Sequence, residues 1–166
     1  MDNSKQIREL GSIVEEAVKN FNEKEKYLIE NDLSERCMCA RFALHLTKAL
    51  QKTCYEEYEV DVEYNRGADE YERAIKRLND SMITVDLVVH KRGYDCIYGF
   101  DNLICLEMKK SKDRRGCNSD ENRLKCMTSR EYGFNYKLGI MLVVDYKIKE
   151  MVIKSKQNCS TQSDIC

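Results

Sequence analysis

Asp86, Glu107 and Lys109 are charged residues set in runs that are otherwise apolar and β-branched, and of the 166 residues in the chain they are the best suited to chemistry. In the run MITVDLVVH (82–90), Ile83, Val85, Leu87 and Val89 alternate on one face, which sends Asp86 to the other beside Thr84 and Val88. In NLICLEMKK (102–110), Ile104, Leu106 and Met108 form the packed face, and Glu107 and Lys109, two residues apart, share the opposite one. If the two runs pair, two carboxylates and an ammonium converge. Such a trio is costly to desolvate unless it is paired or binds a cation, and its oxygen donors suit the hard cations Mg²⁺ or Mn²⁺. An ordinary cross-strand salt bridge on a solvated face is the competing reading, and spacing alone does not choose between them.

The elements that must position these residues are legible as periodicities. Ile7, Leu10, Ile13, Val14, Ala17, Val18 and Phe21 recur at helical steps over residues 4–21, a helix that docks on the core. Asp32, with Glu35 three residues on, fits the N-terminal cap of a second helix reaching Gln51, apolar on more than one face and therefore largely buried. Residues 57–64 alternate with period two as a half-buried strand with an acidic outer face, followed by a turn at Asn65-Arg66-Gly67 and a short helix over 69–78. The runs 82–90 and 102–110 make an antiparallel hairpin. Asp120 caps a helix through Tyr132 that Gly133 stops, and LGIMLVVD (138–145) is a strand apolar on both faces and hence central. A short polar strand or helix follows over 150–154, and residues 155–166 are expected to be a disordered tail. One α/β domain over 1–154 results, with a docking helix over 1–21 and a core over 32–145 built on a mixed sheet of four or five strands flanked by helices.

Composition sets outer limits. Twenty-eight Lys and Arg against 29 Asp and Glu exclude a histone-like or basic-tail protein, so attraction to nucleic acid must come from a local patch. No apolar run is long enough to span a membrane, and the polar start MDNSKQIREL lacks the apolar stretch of a signal peptide, so a cytoplasmic protein is expected. Nine cysteines, an odd number without C-x-x-C and without a suitably spaced His45 or His90, read as reduced thiols, with Cys105 and Cys126 acting as small hydrophobes. Scattered glycines supply no phosphate loop, no G-x-S-x-G elbow is present, and no small-molecule cofactor is expected.

The arrangement VDLVVHKRG…NLICLEMKK, with Asp86, Glu107 and Lys109 in order, resembles the PD-(D/E)XK superfamily of restriction-endonuclease-like nucleases, in particular its small prokaryotic members. The likeness extends over most of residues 34–145: an SER-headed helix, a strand, the Asp hairpin, E-x-K, a helix with basic residues and the apolar strand YKLGIMLVVD, an αβββαβ order. Val85 stands where the family often has proline. The resemblance implies that Asp86 and Glu107 bind Mg²⁺ or Mn²⁺, that the main chain of Met108 adds a ligand, and that Lys109 positions or activates the attacking water. It also implies a metal-associated Glu35 on the first core helix, for which the capping role with Asp32 is the alternative. Arg41, among apolar residues on that helix, pairs with a carboxylate near the site or lies on the surface.

Between Cys105 and Arg130 there are eight bases and four acids, the one strongly positive stretch. Lys110, Lys112, Arg114, Arg115 and Arg123 would meet a phosphate backbone there, and a solvated loop is the plainer reading. The expectation is a metal-dependent nuclease hydrolysing DNA phosphodiester bonds, with a homodimer as the way to cut both strands. The alternative is a nuclease-like domain that binds nucleic acid or a protein partner without cutting, and a third is a structural subunit whose charged trio is a salt-bridge cluster.

Overall fold

The computed structural model describes residues 2–64, 77–78, 81–82, 84–92, 102–112, 117–129 and 134–158. In chain order these form α1 (Asn3–Lys24), α2 (Lys26–Glu30), α3 (Glu35–Leu50), β1 (Glu59–Val62), β2 (Arg77–Leu78), β3 (Ser81–Met82), β4 (Leu87–His90), β5 (Asn102–Lys110), α4 (Cys117–Thr128), β6 (Leu138–Asp145) and β7 (Glu150–Asn158). The main sheet has the order β1-β4-β5-β6-β7, and every neighbouring pair is antiparallel except β5 and β6, which run parallel. A parallel step needs a crossover, and α4 lies in that connection. The expected mixed α/β sheet with flanking helices is therefore what the chain forms, with five strands. Among the described residues no helix is long and apolar enough to cross a membrane.

Alternation along the strands divides the interior in two. Leu87, Val89, Ile104, Leu106, Met108, Ile140 and Leu142 pack against Leu10, Val14 and Phe21 of α1 and Met38, Phe42 and Leu46 of α3, all buried. Val88, Cys105 and Met141, out of phase with those residues, meet Leu124 and Met127 of α4 on the other face. Glu107 and Lys109 share the parity of Cys105, so they emerge on the α4 side of β5. Gly139 permits this second layer to lie close: a Cβ there would come within 3.0 Å of Thr128 Cγ2 and 3.4 Å of Leu124 Cβ. At the β7 edge, Asn22 of α1 donates to Met151 O (2.9 Å) and accepts from Met151 N (2.8 Å), so one side chain satisfies two edge-strand groups.

Several elements differ from expectation, each for a local reason. Strand β4 begins at Leu87 and not at residue 82, because the chain bends at Asp86, and Val85 consequently packs with the α4-side residues. Arg77 and Leu78, expected at the end of a helix, pair instead with Met82 and Ser81, while residues 65–76 lie outside the described residues. Ser34, and not Asp32, caps α3: its hydroxyl accepts from Cys37 N (3.2 Å), and Asp32 has φ 53° and turns its carboxylate to Lys110. Helix α4 starts at Cys117, which puts Asp120 inside the first turn and not at the cap. The helix ends at Thr128 and not at Tyr132, since Ser129 N turns back to Cys126 O (3.2 Å), and Gly133 lies outside the described residues. Finally, β7 runs to Asn158, so residues 155–158 belong to the sheet and not to a tail, while 159–166 lie outside the described residues.

Candidate functional site

The site forms where β4 and β5 come apart at the edge of the bend. Register pairs Leu87 with Leu106, and one residue further out the ladder ceases. There the main-chain oxygen of Asp86 accepts from Glu63 N (3.0 Å) and from the thiol of Cys39 on α3 (3.4 Å), while its side chain turns to β5, where Oδ2 accepts from Met108 N (2.7 Å). A carboxylate thus takes a ladder position that a strand carbonyl would fill, and it is held between Glu107 and Lys109 by the N–H of the residue between them. The main chain of Met108 accordingly meets Asp86 through its N–H, and its side chain is buried in the α1/α3 layer.

Glu107 is 2% exposed and its Oε1 accepts from Arg123 Nε on α4 (2.7 Å). Burial, opposed by Arg123 and reinforced by the nearby Asp86 and Asp120 carboxylates, pushes its carboxyl up to about 8. Arg123 also donates through a terminal guanidinium nitrogen to Asp120 Oδ1. Lys109 Nζ lies 3.1 Å from Asp120 Oδ2, an ion pair off the line of a hydrogen bond, so Oδ2 is a buried acceptor without a hydrogen-bond donor among the described residues. Burial pulls Lys109 down, but Asp120, with Glu35 and Asp86 further off, outweighs it and holds the ammonium above its ordinary value.

Glu35, in the first turn of α3, accepts from Lys110 N through Oε1 (2.8 Å), tying α3 to the end of β5. It shares with Asp86, Cys39, Arg36 and Glu63 the wall of a cavity of about 380 Å³. Three carboxylates and one guanidinium line that cavity, which is a surrounding that attracts cations. Burial and the charges of Asp86, Glu107 and Glu63 push the Cys39 thiol up to about 12, so it stays protonated beneath Asp86.

The flanking basic residues fall in different places. Lys110 Nζ donates to Asp32 Oδ1 (2.9 Å) and O (3.2 Å), and Lys112 Nζ stands 3.6 Å from Asp32 and 4.1 Å from the centre of the Tyr146 ring. Arg114 and Arg115 lie outside the described residues. Arg41 pairs with Glu25 (2.6 Å), whose same oxygen meets His45 (2.9 Å), so this pair ties the α1–α2 junction to the middle of α3 and does not reach Asp86, Glu107 or Lys109.

Asp120 is the site residue that sequence reasoning assigned elsewhere. Its spacing of three from Arg123 on a helix was the available signal, and burial against Lys109 supplies the rest.

Oxygen donors from Asp86, Glu107 and Asp120, the last with a buried oxygen that meets the Lys109 ammonium off the line of a hydrogen bond, fit a hard divalent cation in chemistry. Among the described residues they are not drawn up as a cage of three ligands about one point, and Arg123 stands at Glu107. No protein-family model, curated protein or solved structure matches this chain.

Proposed function

We propose that the protein is a metal-dependent nuclease of the PD-(D/E)XK, restriction-endonuclease-like kind, hydrolysing DNA phosphodiester bonds. The observation that carries this reading is the 2.7 Å bond from Met108 N to Asp86 Oδ2, which brings the aspartate onto the central residue of Glu107-Met108-Lys109. The main-sheet order α3, β1, β4, β5, α4, β6, with β5 and β6 parallel and the two-residue strands β2 and β3 set apart in their own small sheet, is compatible with an αβββαβ core and supports the reading.

In this reading Asp86 and Glu107 would hold Mg²⁺ or Mn²⁺, with Glu35 beside Asp86 in the wall of the cavity described above. A cation bound there lowers the pKa of its water and neutralises the scissile phosphate. Lys109, kept protonated and oriented by Asp120, donates toward the oxygen on which charge develops. Arg123, Lys112 and Lys110 offer positive charge to the flanking phosphates, and Lys110 must leave Asp32 to do so. A dimer would place two such sites on the two strands.

One observation favours a second reading, a nuclease-like domain that binds without cutting: Glu107 and Asp120 are already met by Arg123 and Lys109, as in a structural ion-pair cluster. The deciding experiment is cleavage of duplex, nicked and branched DNA with and without Mn²⁺, beside a binding titration at two salt concentrations. Metal-dependent cleavage that Lys109→Ala abolishes without loss of DNA or Mn²⁺ binding supports the nuclease. Salt-sensitive binding with no cleavage of any substrate supports the binding module, and absence of both leaves the cluster a structural one.

A further inference from the structure

Arg123 contacts two of the acids in the site, Glu107 and Asp120, and its position raises the question of how a cation could enter. Its Nε donates to Glu107 Oε1 (2.7 Å) and a terminal nitrogen to Asp120 Oδ1, while Asp120 Oδ2 faces Lys109 Nζ at 3.1 Å. Glu107 and Asp120 are buried, with side chains 2% and 3% exposed, whereas the Arg123 side chain is 32% exposed and is the member of the cluster with room to move toward solvent. Charge points the same way. A divalent cation on Glu107 would stand against the Arg123 guanidinium already bound to the same carboxylate, a meeting of like charges in a buried place. If Arg123 withdraws from Glu107 as the cation arrives, the two positive charges no longer compete for one buried carboxylate.

We infer that Arg123 is the resident counter-ion of Glu107 and is exchanged for the divalent cation, with Asp120 as the tether that keeps the released guanidinium beside the site. The inference rests on the metal-dependent reading above and deepens it. Arg123 holds Glu107 in the metal-free protein, where an unpaired buried carboxylate would be costly. Once displaced, its fork of donors is directed to solvent at the mouth of the site, where a phosphodiester oxygen would lie. Cation and phosphate binding therefore favour one another through a single side chain, and the coupling is reciprocal. Asp120 is a positioning residue in this scheme: it retains Lys109 through its second oxygen in both states.

The test is a titration of the full-length protein with Mg²⁺ alone, without DNA, at mildly alkaline pH. Two readouts are followed: binding heat in wild type and Arg123→Gln, and the Nε–H resonance of Arg123 in the wild-type ¹H–¹⁵N spectrum. The expected result is that Mg²⁺ shifts this resonance saturably and in step with binding, and that Arg123→Gln binds Mg²⁺ roughly tenfold more tightly, within the usual range of coupled-site effects. Equal affinity in the two proteins with an unmoved resonance would overturn the exchange and leave the metal site standing. Absence of Mg²⁺ binding in both proteins would remove the exchange and the metal-dependent reading together. The resonance needs no variant, so the inference stays open to refutation even if Arg123→Gln does not fold.

Discussion

At the scale of single residues, the site depends on a carboxylate that serves the backbone and carries charge at the same time. Asp86 accepts from Met108 N through one oxygen, and asparagine can make the same bond with its amide oxygen. Asp86→Asn should therefore fold and keep the bend while losing the charge. In wild type, Mn²⁺ at a hundredfold excess over Kd should raise stability by roughly 2.7 kcal/mol, and Asp86→Asn should abolish that gain. Thermal melts of the two proteins with and without Mn²⁺ test this, and equal gains in both would remove Asp86 from the cation's ligands. Asp86, Glu107 and Lys109 were legible because a charge in an apolar β-branched run is conspicuous. Asp120 was not, because charges on helices are common and its burial arises only when α4 docks on the sheet. Glu35 was legible as a first-turn acid, but its bond to Lys110 N depends on how α3 meets β5 across 75 positions of sequence.

At the scale of elements, the position of α4 decides whether Asp120 and Arg123 reach the site at all. Gly139 lets the helix lie on β6, since an added Cβ would stand 3.0 Å from Thr128 Cγ2. Gly139→Ala should cost about 1–3 kcal/mol by pressing the C-terminal turn of α4 away from the sheet, as overpacking elsewhere does. It should also weaken Mg²⁺ binding while DNA-independent folding persists. Urea denaturation beside metal titration checks it, and an unchanged midpoint would mean that α4 adjusts without strain. Ser34→Ala is a contrasting change: it removes the hydroxyl that accepts from Cys37 N and should cost about 0.5–2 kcal/mol without a direct effect on α4. The long apolar runs of β5 and β6 were readable from end to end because they are buried throughout most of their length. The start of β4 was not, since periodicity continues through residues 82–90 while a side-chain bond at Asp86 ends the ladder. The cap of α3 was misplaced by two residues for a similar reason: Asp32 and Ser34 both suit a cap, and the pull of Lys110 on Asp32 is a tertiary contact.

At the scale of the whole molecule, acids of opposite pH sign lie in different parts of the fold. Arg92 and His90, against the cost of burial, hold Asp61 of β1 below its ordinary 3.8, and Arg41 and His45, overcoming a larger effect of burial, hold Glu25 below its ordinary 4.5. Their contribution to stability is present above those ordinary values and is lost as pH falls through the lowered ones. Glu107 acts in reverse. Burial raises it from 4.5 to about 8, so between these values the native state binds the proton more tightly than the unfolded chain, and stability rises as pH falls. The metal-free protein should accordingly gain stability on going from about pH 8 to about pH 5 and lose it again below about pH 4. Glu107→Gln, neutral at every pH, should flatten the alkaline limb and leave the acid limb, whereas Asp61→Asn should blunt the acid limb alone. Urea midpoints across the range measure both. An alkaline limb that survives in Glu107→Gln would show that the carboxyl at the centre of the site is not the group that makes the metal-free protein least stable where a nuclease would need its carboxylates ionised.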